Sequence, residues 1–370
     1  MKALVFSGSV PRYLLARALG KRLPIGLWDL ALREIPEPEA PPGWEVGEVV
    51  LAGICGSDLA LLRGKSSPRL APFFSFPAVL GHEIVVEVGG TRAAVDPLLA
   101  CRERGLSLCP PCARGEEALC RNVAEGGIPP GMLGYCRRLP GGWGERVVVH
   151  PEQIYPLPRG VPDERAVLAE PLAVVLRGLR LLAPGPRDPV LVIGAGTIGL
   201  VCVAALRIAG HAGEIHVAAR YPLQARLARE LGASRVHPHA WAAARAVGAR
   251  EYPAPLGPPA WRGGFPSVID AAGTRGSVEQ ALWTVEEGGG VLLLGAPGQL
   301  GLDLSPLWFR SIRLIGTYTY SRGDFRRAVE LLPEAEGLER IVTHVFPLHR
   351  YREALATLAR HRGVKVALRP

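Results

Sequence analysis

The sequence predicts an α/β protein in two parts, a β-rich portion followed by a doubly wound parallel sheet. Three observations carry this. Residues 1–150 hold short alternating apolar runs between Pro and Gly (ALVF, EVGEVVLAG, EIVVEVG, ERVVVH), the pattern of mostly antiparallel strands. After residue 188, strand-like and helix-like stretches alternate, which indicates a parallel sheet. Where that alternation begins stands Gly194-Ala195-Gly196-Thr197-Ile198-Gly199, a G-x-G-x-x-G placed after a strand and opening a helix.

Taken in order, PVLVIGA leads into TIGLVCVAALRIAG, EIHVAA into LQARLARELG, and PSVIDAAG into SVEQALWTV, with GGVLLLGAP next. From about Tyr318 the pattern changes. DFRRAVELLPE and YREALATLARH are amphipathic helices, and THVFPL and KVALRP are short strands. That tail reads as returning to the first portion. The expected division is residues 1–155 with 318–370 as one domain and 156–317 as the other.

With 370 residues, 48% hydrophobic and 21% charged, the chain has enough length for two buried cores. The net charge of +9 does not signal nucleic acid. Only four basic residues are Lys (Lys2, Lys21, Lys65, Lys365), and the Arg are scattered without a basic run. The uncharged run Val190–Leu206 is short for a membrane span and carries the fingerprint glycines. The opening MKALVFSGSVPRY lacks the apolar core of a signal peptide. The expectation is a cytoplasmic protein without membrane or nucleic-acid partners, whose seven cysteines serve metal or catalysis before disulfides.

The glycines permit a tight turn and close approach of backbone to a pyrophosphate at a helix N-terminus. Gly194, Gly196, Thr197, Ile198 and Gly199 are the expected contacts. Twenty residues past Gly199, where a carboxylate would hold the adenosine ribose, stand Ala219, Arg220 and Tyr221. Arg220 suits a 2′-phosphate, so NADP(H) is expected in preference to NAD(H). The plainer alternative is a solvated Arg220 with NAD(H) or dual use. Tyr221 is expected near the adenine. Asp270 ends a strand and reads as structural or cofactor-lining.

Three pieces ahead of the fingerprint offer metal ligands: Cys55 in GICGSD, His82 in LGHE and Glu170 in AEPL. Each alone has an ordinary reading, as a small buried residue, a core histidine or a helix-terminal charge. Together they supply the three ligands that a catalytic zinc takes beside an open position.

At this point the chain resembles the zinc-dependent medium-chain dehydrogenase/reductase superfamily. The resemblance runs nearly end to end through GICGSDL, GHE, a cysteine-rich lobe, GGWGERV, EPLAV, GAGTIGL, RLARELGA, VIDAAG and IVTHVFPL. It implies a GroES-like catalytic domain beside the Rossmann domain, and zinc held by Cys55, His82 and Glu170. It also implies that Glu83 approaches the metal during ligand exchange, that Asp58 orients the imidazole, and that Ser57 takes the substrate proton. The implied substrate is a small alcohol, polyol or sugar, chosen by Leu61–Pro77, Ile128–Trp143 and the return segment. Many relatives finish the proton relay with a His five residues after the Cys; here that position is Ala60, which leaves the exit of the proton open.

The superfamily's structural zinc loop is C-x2-C-x2-C-x7-C. Cys109, Cys112 and Cys120 match its last three ligands. The first falls on Leu106, so Cys101 is the expected substitute if CRERGLSLC folds back. Cys136 lies outside the lobe and Cys202 is expected in the core. The resemblance further implies a homodimer or homotetramer, with Leu304–Thr317 as a pairing segment. The rival readings are a zinc-free relative of the quinone reductases and a non-catalytic NADPH-binding protein.

Overall fold

The computed structural model describes residues 1–296 and 298–370, with Lys21 described by its backbone alone. Contacts divide the chain into two units. One comprises Met1–Glu170, Tyr320–Pro333 and Val342–Pro370, the other Pro171–Thr319 and Glu334–Ile341.

In the first unit Glu45–Gly53 is the central strand. It pairs antiparallel with Ile84–Val88, Arg146–Val149 and Lys365–Arg369. Thr91–Val95 and Ile154–Pro156 extend the sheet on one side, and Val342–Pro347 lies parallel to Lys365–Arg369 at the other edge. The central strand alternates at its start, with Gly47 and Val49 inward and Val46 and Glu48 outward, and is buried at Leu51, Ala52 and Gly53. The period-2 pattern thus fixes its register, and the buried end delivers the chain to Cys55. A smaller antiparallel sheet joins Ala31–Glu34, Lys2–Phe6 and Ala78–Val79. The apolar runs read as strands pair as expected.

The helix Val10–Leu19 was not expected. Only Ala16 in it is buried, while Val10, Leu14, Leu15 and Leu19 face outward. No stripe at helical spacing was there to read.

The return segment docks through the helix Arg322–Leu331. Ser321 caps it by accepting from Asp324 N, while the Asp324 carboxylate accepts from Ser321 N at 3.0 Å. Arg322 then pairs with Glu103 and Glu152, and its amide donates to Glu117 Oε2 at 3.2 Å. The tail is thereby tied to the cysteine-rich lobe.

The second unit holds a six-stranded parallel sheet. Its spatial order is Arg235–His237, Ile215–Ala218, Val190–Ile193, Phe265–Asp270, Val285–Leu293, Arg313–Gly316. Numbered by sequence that order is 3-2-1-4-5-6, the doubly wound arrangement of a dinucleotide fold. Val190–Ile193 is buried along its whole length, because a central parallel strand is covered on both faces. The hairpin Arg250–Tyr252 with Ala260–Arg262 was not foreseen. Its three-residue strands flank PAPLGPP, and it is fastened by Trp241 stacking on Trp261 at 5.2 Å with Arg245 over the same ring. Among the described residues no helix is long and apolar enough to cross a membrane.

Candidate functional site

In the first unit the strand Glu45–Gly53 runs into Ile54 and Cys55, and Cys55 caps the short helix Gly56–Leu62. The Cys55 amide donates to Asp58 Oδ2 at 2.9 Å. His82 and Glu83 come from the turn that opens the strand Ile84–Val88. Two glycines are dictated here by space. A Cβ on Gly53 would sit 1.8 Å from Glu83 Oε2, and one on Gly81, at φ +93°, would sit 2.3 Å from the Trp143 ring. Trp143 in turn donates its indole N–H to Gly53 O at 3.0 Å, so the two glycine turns share one aromatic wedge.

The ligand atoms of Cys55, His82 and Glu83 lie within 4.8 Å of one another. Thiolate, imidazole and carboxylate at this spacing form a donor set that zinc accepts. Glu170, the second residue of the helix Ala169–Leu182, lies outside that group. It is buried, and burial pushes its carboxyl up to about 7, opposed by His82 and reinforced by Glu83. Within that group the carboxylate is Glu83.

Asp58 is fully buried and stands behind the imidazole, Oδ1 facing His82 Nδ1 at 3.5 Å. Burial disfavours the imidazolium, yet Asp58 and the Cys55 sulfur outweigh it and raise His82 well above the ordinary histidine range. Ser57 Oγ lies 3.5 Å from His82 Nε2. Ala60 is in the same short helix.

Two partners escaped the sequence reading. Lys365, on the last strand, is buried and places Nζ 2.6 Å from both oxygens of Glu83 and 3.2 Å from Ile54 O. Its signal was rarity, as one of four lysines in an Arg-rich chain. Tyr135 donates to Asp58 Oδ1 at 2.8 Å and lies 3.2 Å from Ser57 Oγ. Only its place within Ile128–Trp143 pointed towards the site.

The cysteine-rich lobe gathers Cys101, Cys109, Cys112 and Cys120, all buried, with ligand atoms within 4.8 Å of one another. CRERGLSLC does fold back. Leu106 N donates to Cys101 O at 2.9 Å, and Gly105 takes φ +64° in that turn. Leu106 packs on the cysteines as an apolar wall. Amide N–H groups point at the sulfurs: Cys109 N to Cys101, Arg121 N to Cys109 and Asn122 N to Cys120, at 3.3–3.4 Å. Burial pushes Cys109 up, but the amides of Arg121 and Cys112 overcome it and bring the thiol to about 6. Burial pushes Cys120 up to about 11. Four free thiols with amide donors fit a structural zinc. Cys136 and Cys202 are buried elsewhere, the first in the main core and the second in the helix Thr197–Ile208.

In the second unit each fingerprint glycine has a distinct cause. Gly194 has φ +96°; a Cβ on Gly199 would lie 1.8 Å from Gly194 O; Gly196 caps the helix with open space around its missing Cβ. Thr197 and Ile198 form the first turn of that helix. Arg220 is exposed just past the strand Ile215–Ala218, and Tyr221 caps the helix Pro222–Glu230. Asp270 is buried and accepts from Ala272 N and Gly273 N at 3.0 and 3.2 Å, which makes it the organiser of the turn beside Gly194.

A glycine-rich helix entry on a doubly wound sheet and a Cys/His/Glu cluster in a β-rich unit point to an oxidoreductase of the alcohol and polyol dehydrogenase class. Residues 42–159 match the alcohol dehydrogenase GroES-like domain and residues 197–334 the zinc-binding dehydrogenase family. The chain belongs to the zinc-dependent medium-chain dehydrogenase/reductase superfamily. It is 30% identical over 366 residues to the glucose 1-dehydrogenase of Thermoproteus tenax, covering 92% of this chain and 95% of that one. It is 28% identical to the L-threonine 3-dehydrogenase of Anaeromyxobacter dehalogenans, over 93% and 95% of the two chains. A solved structure described as a zinc-binding dehydrogenase from Sinorhizobium meliloti 1021 bound to NADP superposes with a TM-score of 0.75 at 27% identity, covering 100% of this chain and 99% of that one.

Proposed function

We propose that the protein transfers a hydride between NADP(H) and a secondary alcohol, polyol or sugar, interconverting it with its carbonyl. The observation that carries this is the convergence of Cys55, His82 and Glu83 within 4.8 Å, with Ser57 beside them. Cys55 and His82 would hold a catalytic zinc with a carboxylate from Glu83 or Glu170, and Cys101, Cys109, Cys112 and Cys120 a structural one. When bound at the first site, zinc supplies Lewis-acid chemistry that acidifies an alcohol and polarises a carbonyl. Asp58 holds the imidazole in one orientation, as carboxylates behind metal-bound histidines do. Ser57 would be the first step of a proton relay, its oxygen taking the alcohol proton on oxidation as its own proton passes on to water, with the reverse on reduction. Gly194, Gly196, Thr197, Ile198 and Gly199 receive the pyrophosphate, and Arg220 with Tyr221 the 2′-phosphate and adenine. NADP bound in the S. meliloti relative agrees with this preference.

The proposal assigns metal chemistry to residues 1–155 with 318–370, joined by Glu170, and cofactor binding to the rest of 156–317. It also includes cytoplasmic residence and a homodimer or homotetramer. The strand Arg313–Gly316 ends its sheet, and Trp308 beside it is 76% exposed. An uncovered strand edge with an exposed aromatic suits pairing with a second copy.

The test is metal analysis of purified protein together with NADP+ and NAD+ reduction on a panel of polyols, sugars and secondary alcohols. About two zincs per chain are expected, with NADP+-linked turnover that Cys55→Ala abolishes. Metal-free protein inactive across the panel would refute the reading.

A further inference from the structure

Ser57 and Asp58 are consecutive, yet one side chain from a distant segment touches both. Tyr135 is buried, and its hydroxyl lies 2.8 Å from Asp58 Oδ1 and 3.2 Å from Ser57 Oγ. Its ring packs against His82 and Phe74, each at 5.4 Å between centroids. The segment that carries it is fixed. Tyr135 N donates to Met132 O at 2.9 Å and Ser75 N donates to Tyr135 O at 3.1 Å. A Cβ on Gly131 would lie 2.2 Å from Tyr135 O, so the backbone there is closely packed.

A phenol has one proton and here two acceptors. The carboxylate is nearer and charged, and charge-assisted hydrogen bonds are roughly twice as strong as neutral ones. Tyr135 therefore donates to Asp58. Its oxygen is then left as an acceptor facing Ser57, so the Ser57 hydroxyl donates to Tyr135. That orientation turns a lone pair of Ser57 away from Tyr135, ready to accept a proton. Asp58 gains at the same time. With Oδ2 taken by the Cys55 amide and Oδ1 by the phenol, the carboxylate plane behind His82 is fixed from both ends.

We propose that Tyr135 is a positioning residue of the dehydrogenase reaction, setting the hydrogen-bond direction of Ser57 and the orientation of Asp58 through one hydroxyl. This rests on the proposed role of Ser57. Ala60 offers no imidazole near the serine; its order comes from the phenol.

The test is Tyr135→Phe, which keeps the ring on His82 and Phe74 and removes only the oxygen. On the fastest substrate of the panel, kcat should fall roughly tenfold with KM within about twofold, the signature of an interaction used in the transition state. Tyr135→Phe should slow Ser57→Ala by clearly less than it slows the wild type, because the part of its effect that passes through the serine is already lost and only the part through Asp58 remains. Independently of turnover, zinc should leave the Cys55 site to a chelator about tenfold more readily in Tyr135→Phe, as for other partners behind a metal-bound histidine. Active wild type with an unchanged Tyr135→Phe, or with losses that add in the double variant, overturns this inference alone. Wild type that turns over nothing overturns the reading of Ser57 and this inference with it.

Discussion

Lys365→Met should be among the most destabilising single changes in the first unit. The ammonium is 1% exposed, as is Glu83, and Nζ makes three hydrogen bonds, two to that carboxylate at 2.6 Å and one to Ile54 O at 3.2 Å. Methionine fills nearly the same volume, so the loss is of charge pairing and not of packing. Removing one partner of a buried pair leaves the other charged and unsolvated, at a cost of about 3–5 kcal/mol. For a domain of this size about 2–4 °C of melting temperature go with each kcal/mol, so a fall of roughly 10 °C is expected. The assay is calorimetric melting of chelator-treated protein at pH 7, so that metal at Cys55 does not enter. Lys365→Met with Glu83→Gln should regain much of the loss, since no buried charge is then stranded. A fall below about 1 kcal/mol, or a double variant as unstable as the single, would refute the argument that the pair is a buried and coupled one.

Cys101→Ser should lower bound zinc by about one per chain, measured by metal analysis, if the four thiols hold one tetrahedral ion. Gly199→Ala places a Cβ 1.8 Å from Gly194 O, so the fingerprint turn must open. Affinity for NADP+ should drop more than about tenfold by fluorescence titration, because the phosphate cradle is backbone. Ala219→Asp with Arg220→Ala should reverse the NADP+/NAD+ preference in kcat/KM by roughly 10–100-fold, trading a charge-assisted bond for a repulsion. Asp96 is buried and burial pushes its carboxyl up to about 7 from 3.8, with the Leu98 amide opposing and Glu103 adding. Its proton is kept on folding, so the stability it contributes is full below 3.8 and lost as pH rises through about 7. The melting temperature should therefore fall less between pH 5 and pH 8 in Asp96→Asn than in wild type.

Much of this protein is determined locally. Period-2 and period-3.6 patterns set where strands and helices form, and the step from one to the other at Ile193–Thr197 announces the nucleotide fold, because the glycine requirement there is set by the backbone itself. Cys55 and His82 were legible only as a set: each alone reads as an ordinary buried residue, and it is their joint occurrence with a carboxylate ahead of the fingerprint that suggests zinc-type donors. What the sequence could not decide is which of several capable side chains meet. Glu83 and Glu170 both offer a carboxylate, and strand geometry brings Glu83 within 4.8 Å of Cys55 and His82. Cys101 replaces the position held by Leu106 only because a turn at Gly105 brings it back. Lys365 reaches Glu83 across 282 residues, and Tyr135 reaches Asp58 across 77. Such contacts leave no periodicity in the chain. They exist because antiparallel pairing of Lys365–Arg369 with Glu45–Gly53, and the wedge of Trp143 against Gly53 and Gly81, bring distant segments to one place.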